Sequence, residues 1–144
     1  MLTQSKIIFA IFLMVITSMA FVSCKKGDDD PSLSLRSREA RFVNQWTLVK
    51  YEKNGQRQDL NNATFIYDTY KEGTLKQTIE GSVFGFPTRS ILNGTWAFEN
   101  NEEQVRISID SNVTTFNIQR LANSELRLKE TDGADTYMYY FDGE

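Results

Sequence analysis

Apolar and polar positions follow two regimes along this chain. From Ile7 to Val22 the residues are continuously apolar, broken only by Thr17 and Ser18, with Lys6 ahead of the run. From Trp46 onward the period is near two. Trp46 and Leu48, Phe65 and Tyr67, Leu75 and Ile79, and Trp96 and Phe98 each alternate with polar or smaller neighbours. The same holds for Val105, Ile107 and Ile109, for Phe116 and Ile118, for Leu126 and Leu128, and for Tyr137, Tyr139 and Phe141. This pattern predicts about eight strands, each with one apolar face. Turn-forming pairs such as Glu72-Gly73, Asn100-Asn101, Asn123-Ser124 and Asp132-Gly133 separate them, so consecutive strands are expected as antiparallel neighbours. Such a meander removes both its edges by rolling up and pairing its first strand with its last. The expected fold is therefore all-β, an antiparallel up-and-down barrel, although a two-sheet sandwich would bury the same face.

Ser37 is placed to cap a short helix containing Ala40, Phe42 and Val43 ahead of the first strand. Two stretches depart from the rhythm. Asn54 to Asn62 is polar and longer than a tight turn. Gly81 to Pro87 holds Val83, Phe84 and Phe86 and reads as a loop that covers the barrel mouth or contacts a partner, or else as a wall strand with Gly85 as a bulge.

Length and composition narrow the chemistry. The chain has 144 residues, enough for one domain, and contains no His and a single Cys. A His-ligated metal, a Ser-His-Asp triad, a Cys-His pair and an intramolecular disulfide are thereby excluded. The acids fall mainly at predicted turns, where they are solvated, and no spacing sets up a catalytic pair. No enzymatic activity, cofactor or metal is expected. A net charge of −3 supplies no basic field for nucleic acid.

The early apolar run is short for a spanning helix and fits a cleaved signal segment. It ends in Phe21-Val22-Ser23-Cys24, which resembles the lipobox of bacterial lipoproteins. The resemblance implies acylation of Cys24, palmitate being one such chain, and two or more chains suffice to hold a protein at a membrane. Lys25-Lys26-Gly27-Asp28-Asp29-Asp30-Pro31 follows. As a run of charge it reads as a solvated tether. Its position behind a lipidated Cys is similar to the signal that sends some lipoproteins to the outer face of the outer membrane. The expected organisation is a signal peptide over 1–23, the lipidated Cys24 with a flexible acidic tether over 24–36, and a barrel domain over 37–144.

Phe42-Val43-Asn44-Gln45-Trp46-Thr47-Leu48 resembles the opening motif of lipocalins, in which a short helix leads into Gly-x-Trp at the start of the first strand. Asn93-Gly94-Thr95-Trp96-Ala97-Phe98 is similar to small lipocalin-like surface lipoproteins. Asn44 stands where the family has Gly, a change that a left-handed Asn would accommodate. The Arg that lipocalins stack on this Trp has no counterpart, because nothing after Lys129 is basic. The resemblance implies a barrel of about eight strands that binds a ligand inside or is filled by its own side chains.

On strand parity the interior also receives Lys50, Gln77, Arg120 and Glu130. The candidate contacts for a small apolar or glycosidic ligand are Trp46, Tyr67, Trp96, Phe116 and Tyr139, with Gln77 as the orienting hydrogen bonder. The alternative is a filled barrel, an interaction or inhibitor module of a surface complex, whose Val83, Phe84 and Phe86 contact a protein partner.

Overall fold

The computed structural model describes residues 27–31 and 34–144; the expected signal segment and Cys24 lie outside them. Among the described residues a helix, α1 (Arg38–Phe42), precedes nine strands: β1 (Gln45–Lys53), β2 (Gln56–Arg57), β3 (Thr64–Thr69), β4 (Thr74–Val83), β5 (Phe86–Glu99), β6 (Gln104–Ile109), β7 (Asn112–Leu121), β8 (Glu125–Asp132) and β9 (Asp135–Gly143). The two-residue β2 is a flap folded back on the end of β1. The other eight form the predicted meander, and β1 pairs with β9 from Trp46 opposite Gly143 to Lys53 opposite Tyr137. The sheet is an antiparallel eight-stranded closed barrel.

α1 closes one end. The Ser37 side chain accepts from the Ala40 amide at 3.1 Å, capping the helix as its sequence predicts. Phe42 packs its ring 4.7 Å from that of Trp96 and 5.5 Å from that of Phe98. The indole of Trp46 donates to the Phe42 carbonyl at 2.8 Å, and that of Trp96 to the Tyr70 carbonyl at 3.0 Å. Both large rings are thus buried with their one polar atom satisfied.

Gly143 of the last strand lies against the Trp46 ring, so closely that a Cβ there would stand 2.6 Å from the indole. Asn44 does not adopt the left-handed backbone that the Gly comparison suggested. Its side chain instead accepts from the Gln45 amide at 2.9 Å and donates to the Asn123 carbonyl at 3.1 Å, tying the start of β1 to the β7–β8 turn.

Two expectations are corrected. The segment 81–87 is no loop and Gly85 no bulge: β4 and β5 run on to Val83 and Phe86 and turn through Phe84 and Gly85, both with positive φ (52° and 82°). Two consecutive left-handed residues make the tight hairpin whose twist matches that of its strands. β3 accompanies β4 only as far as Glu80, and β6 meets β5 only from Gly94. The hairpin tip therefore projects past the barrel, with Phe84 97% exposed.

The acidic segment, expected to be solvated, is docked over residues 27–31. Asp30 is buried, paired with the buried guanidinium of Arg38, and accepts from the Leu121 amide at 2.7 Å. The Asp29 amide donates to the Gln119 carbonyl at 3.0 Å. A carboxylate that gains a cation and backbone donors together no longer needs water.

Replacing Gly143 with Ala drives a methyl into the Trp46 ring and the Asn44 amide. We expect a loss of about 1–3 kcal/mol of stability, read as a lower urea midpoint with an unchanged slope. An unaltered midpoint would show that this contact relaxes freely.

Candidate functional site

Two bulges decide which side chains reach the barrel interior. In β1 the pairing with β9 slips between Leu48 and Lys50, and in β7 the pairing with β8 slips between Ile118 and Arg120. Each extra residue reverses the parity beyond it. Lys50 consequently faces out, its amine 2.6 Å from Glu52 and 4.3 Å from the centre of the Tyr140 ring. Arg120 also faces out and pairs with Glu125 at 2.6 Å. Tyr51 and Leu121 take the inward places, opposite Tyr139 and Leu126. The expected inward positions of Lys50 and Arg120 are therefore corrected, whereas Gln77 and Glu130 keep inward parity.

The interior divides into two parts. At the closed end Trp46, Trp96, Phe42, Val105, Leu121, Leu126 and Leu128 are packed core. Towards the other end, β1 and β3 part company. They pair only from Gln45 to Thr47, while β1 continues along β9 to Lys53. A cavity of about 310 Å³ lies beside this seam, lined by Leu48, Tyr51, Leu60, Phe65, Tyr67, Gln77, Tyr139 and Phe141. Leu60 comes from the 58–63 connection and also lines a second depression of about 500 Å³ together with Val49, Lys50, Arg57, Gln58, Asp59 and Asn62. One leucine side chain thus borders both spaces.

Of the residues singled out by sequence, Tyr67, Gln77 and Tyr139 come together at the cavity. Trp46 and Trp96 belong to the closed end. Phe116 packs edge-on against the Tyr139 ring at 5.6 Å and is not among the lining residues. Val83, Phe84 and Phe86 are exposed on the projecting hairpin; Cys24 lies outside the described residues. Sequence reasoning missed Tyr51 and Leu60. The adjacent apolar pair Leu48-Val49, a break in strict alternation, was the available sign of the bulge that turns Tyr51 inward. Leu60 sits in a polar stretch whose course only the fold reveals.

The polar atoms at the cavity are mostly tyrosine hydroxyls. The Gln77 amide donates to the Tyr67 hydroxyl oxygen at 3.3 Å, and the Tyr139 hydroxyl donates to a Glu130 carboxylate oxygen at 2.8 Å. Burial, then the Glu130 charge, raises Tyr67 above the usual phenol range. Burial followed by the hydrogen bond to Glu130 raises Tyr139 strongly. Tyr51 is raised by burial and by Tyr137, against the opposing charge of Lys53. All three stay protonated donors at neutral pH.

No protein-family model matches the sequence, and no curated protein does. Solved structures do match in shape. A lipocalin-like protein from Bacteroides uniformis superposes with a TM-score of 0.56 at 15% identity, covering 72% of this chain and 99% of that one. Bovine odorant-binding protein complexed with its natural ligand gives 0.48 at 12% identity, over 78% of this chain and 77% of that one. Bovine lipocalin allergen Bos d 2 gives 0.45 at 8% identity, over 72% and 73%. The barrel of this chain is lipocalin-like.

Because the folded tyrosines bind their protons more tightly than unfolded ones, their contribution to stability is complete below about pH 10 and is lost as pH rises further. Ultraviolet titration should show Tyr67 and Tyr139 ionising only together with loss of the circular dichroism signal. Tyr139→Phe should reduce that alkaline loss of stability.

Proposed function

We propose that this chain is a lipid-anchored binding protein, held through acylated Cys24 at the outer membrane and exposed at the surface. It takes a small apolar or glycosidic ligand into its barrel and performs no catalysis on it. The cavity carries this reading. Its volume of about 310 Å³ lies at the lower end of ligand pockets, whose range starts at roughly 300 Å³. Its walls are apolar and aromatic, and its polar atoms are the few convergent hydroxyl and amide groups of Tyr51, Tyr67, Tyr139 and Gln77. Such a site suits a ligand with an apolar body and one or two hydrogen-bonding groups. The anchor rests on the sequence of Phe21-Val22-Ser23-Cys24 behind the apolar run.

A second reading is favoured by the projecting hairpin. Val83, Phe84 and Phe86 form an exposed apolar tip, the kind of patch that docks a protein. A photocrosslinker at position 84 in intact cells should then trap a discrete protein adduct; labelling by solvent alone counts against it.

An apolar fluorescent probe of three aromatic rings, N-phenyl-1-naphthylamine, should bind the barrel with one site per chain. Leu60→Trp, which fills the cavity from its border, should weaken that binding by about tenfold or more through steric exclusion. Retention of full affinity would place the probe elsewhere. For the anchor, mass spectrometry of protein extracted from its own membrane should find an N-terminal acylated Cys24, and Cys24→Ala should release the protein from the membrane fraction. An unmodified thiol would overturn that part.

A further inference from the structure

The cavity's rings and charges are unequally supplied. Tyr51 stacks on Tyr139 with ring centres 5.1 Å apart, and Tyr67 tilts against Phe141 at 5.5 Å. With Phe65 these five rings form most of the wall. No Lys or Arg lines it. The cations that do meet aromatic faces nearby are placed elsewhere: Lys53 over Tyr137, and Lys50 and Arg127 over Tyr140. Lys53 is further engaged by Asp135 at 2.7 Å. Among the described residues no protein cation lies over the faces of Tyr51, Tyr67 and Tyr139, and Tyr51 is itself stacked with Tyr137 at 6.2 Å as well as with Tyr139.

One carboxylate, Glu130, meets the Tyr139 hydroxyl just outside the cavity lining. Glu130 keeps inward parity beside Tyr137 and is held by the Tyr139 hydroxyl. Its charge acts on Tyr51, Tyr67 and Tyr139 alike. Among the described residues Glu130 forms no ion pair, although every other carboxylate on the barrel wall that is hydrogen-bonded to a tyrosine, Glu52 and Asp135, also holds a lysine. Aromatic faces carry a negative quadrupole and attract a cation most strongly where water is excluded. A carboxylate beside them adds a field of the same sign.

We propose that the barrel cavity selects a small organic ammonium ion with an apolar body, its charged end held against the Tyr67 and Tyr139 rings on the side towards Glu130. The inference rests on the ligand-pocket reading above and adds the charge of the ligand to it. The ammonium supplies the positive partner that Glu130 lacks, while Phe65, Leu48 and Phe141 receive the body. Gln77 and the tyrosine hydroxyls orient the remaining polar atoms.

Phenethylammonium and 2-phenylethanol differ at one heavy atom, so calorimetry at neutral pH with the full-length protein in detergent isolates the charge. The cation should bind about tenfold more tightly than the alcohol. Glu130→Gln keeps an acceptor for the Tyr139 hydroxyl and removes the charge; it should bring the ratio of the two affinities close to one. Equal affinities for the two molecules, or tighter binding of the alcohol, overturn the inference while leaving the ligand pocket standing. Binding of neither molecule also overturns the inference, and if Leu60→Trp has no effect on the naphthylamine probe the ligand pocket falls with it. If the variant proves unstable, the comparison on the unaltered protein decides alone.

Discussion

The pairing of β1 with β9 is the constraint from which the rest of this molecule follows. It converts a meander with two exposed edges into a closed wall, and closure fixes an inside. β9 follows one edge of β1 as far as Lys53, whereas on the other edge β3 leaves after Thr47 and only the short β2 flap returns to it at Glu52 and Lys53. The seam, the connection that carries Leu60 and the cavity beside it are consequences of one strand having more neighbour on one side than on the other.

The interior is filled from one end. Phe42, Trp46, Trp96 and Phe98 interlock under α1, with each indole N–H given a backbone carbonyl, so this half behaves as ordinary close-packed core. Further along, tyrosines replace tryptophan and leucine. Their hydroxyls need partners that a dry core would not offer, and Gln77 and Glu130 supply them. The change from indole and aliphatic packing to phenol packing marks the transition from structural filling to a space able to receive something else.

Much of this was legible in the sequence because strand alternation is a local signal. Eight strands, the antiparallel order, the Ser37 cap and the lipocalin-like architecture all follow from residues read within short windows. What escaped depends on pairs far apart. The bulge at Gln119 shows itself only when the partner strand is known, and the one at Val49 leaves no sign beyond the adjacent apolar pair Leu48-Val49, so strict alternation puts Lys50 and Arg120 on the wrong face and passes over Tyr51. The Phe84-Gly85 turn hid behind its glycines, since Gly81 and Gly85 together suggest a loop and only the continuous β4–β5 register reveals two long arms. Similarly, three successive aspartates read as solvated until Arg38 and the Leu121 amide are placed around Asp30.

That last arrangement has a mechanical side. Gly27 is wedged against the Gln119 carbonyl where no side chain would fit, and only two residues intervene between it and Cys24. A chain of that length spans at most about 11 Å. Were Cys24 the point of attachment, the leash would be too short for the body to roam: the α1 end would ride close to the bilayer and the β4–β5 hairpin would point away like a mast. The leash is held at more than one point, since Asp30 joins Arg38 and the Leu121 amide while the Asp29 amide donates to the Gln119 carbonyl, so the orientation would be set jointly by α1 and β7.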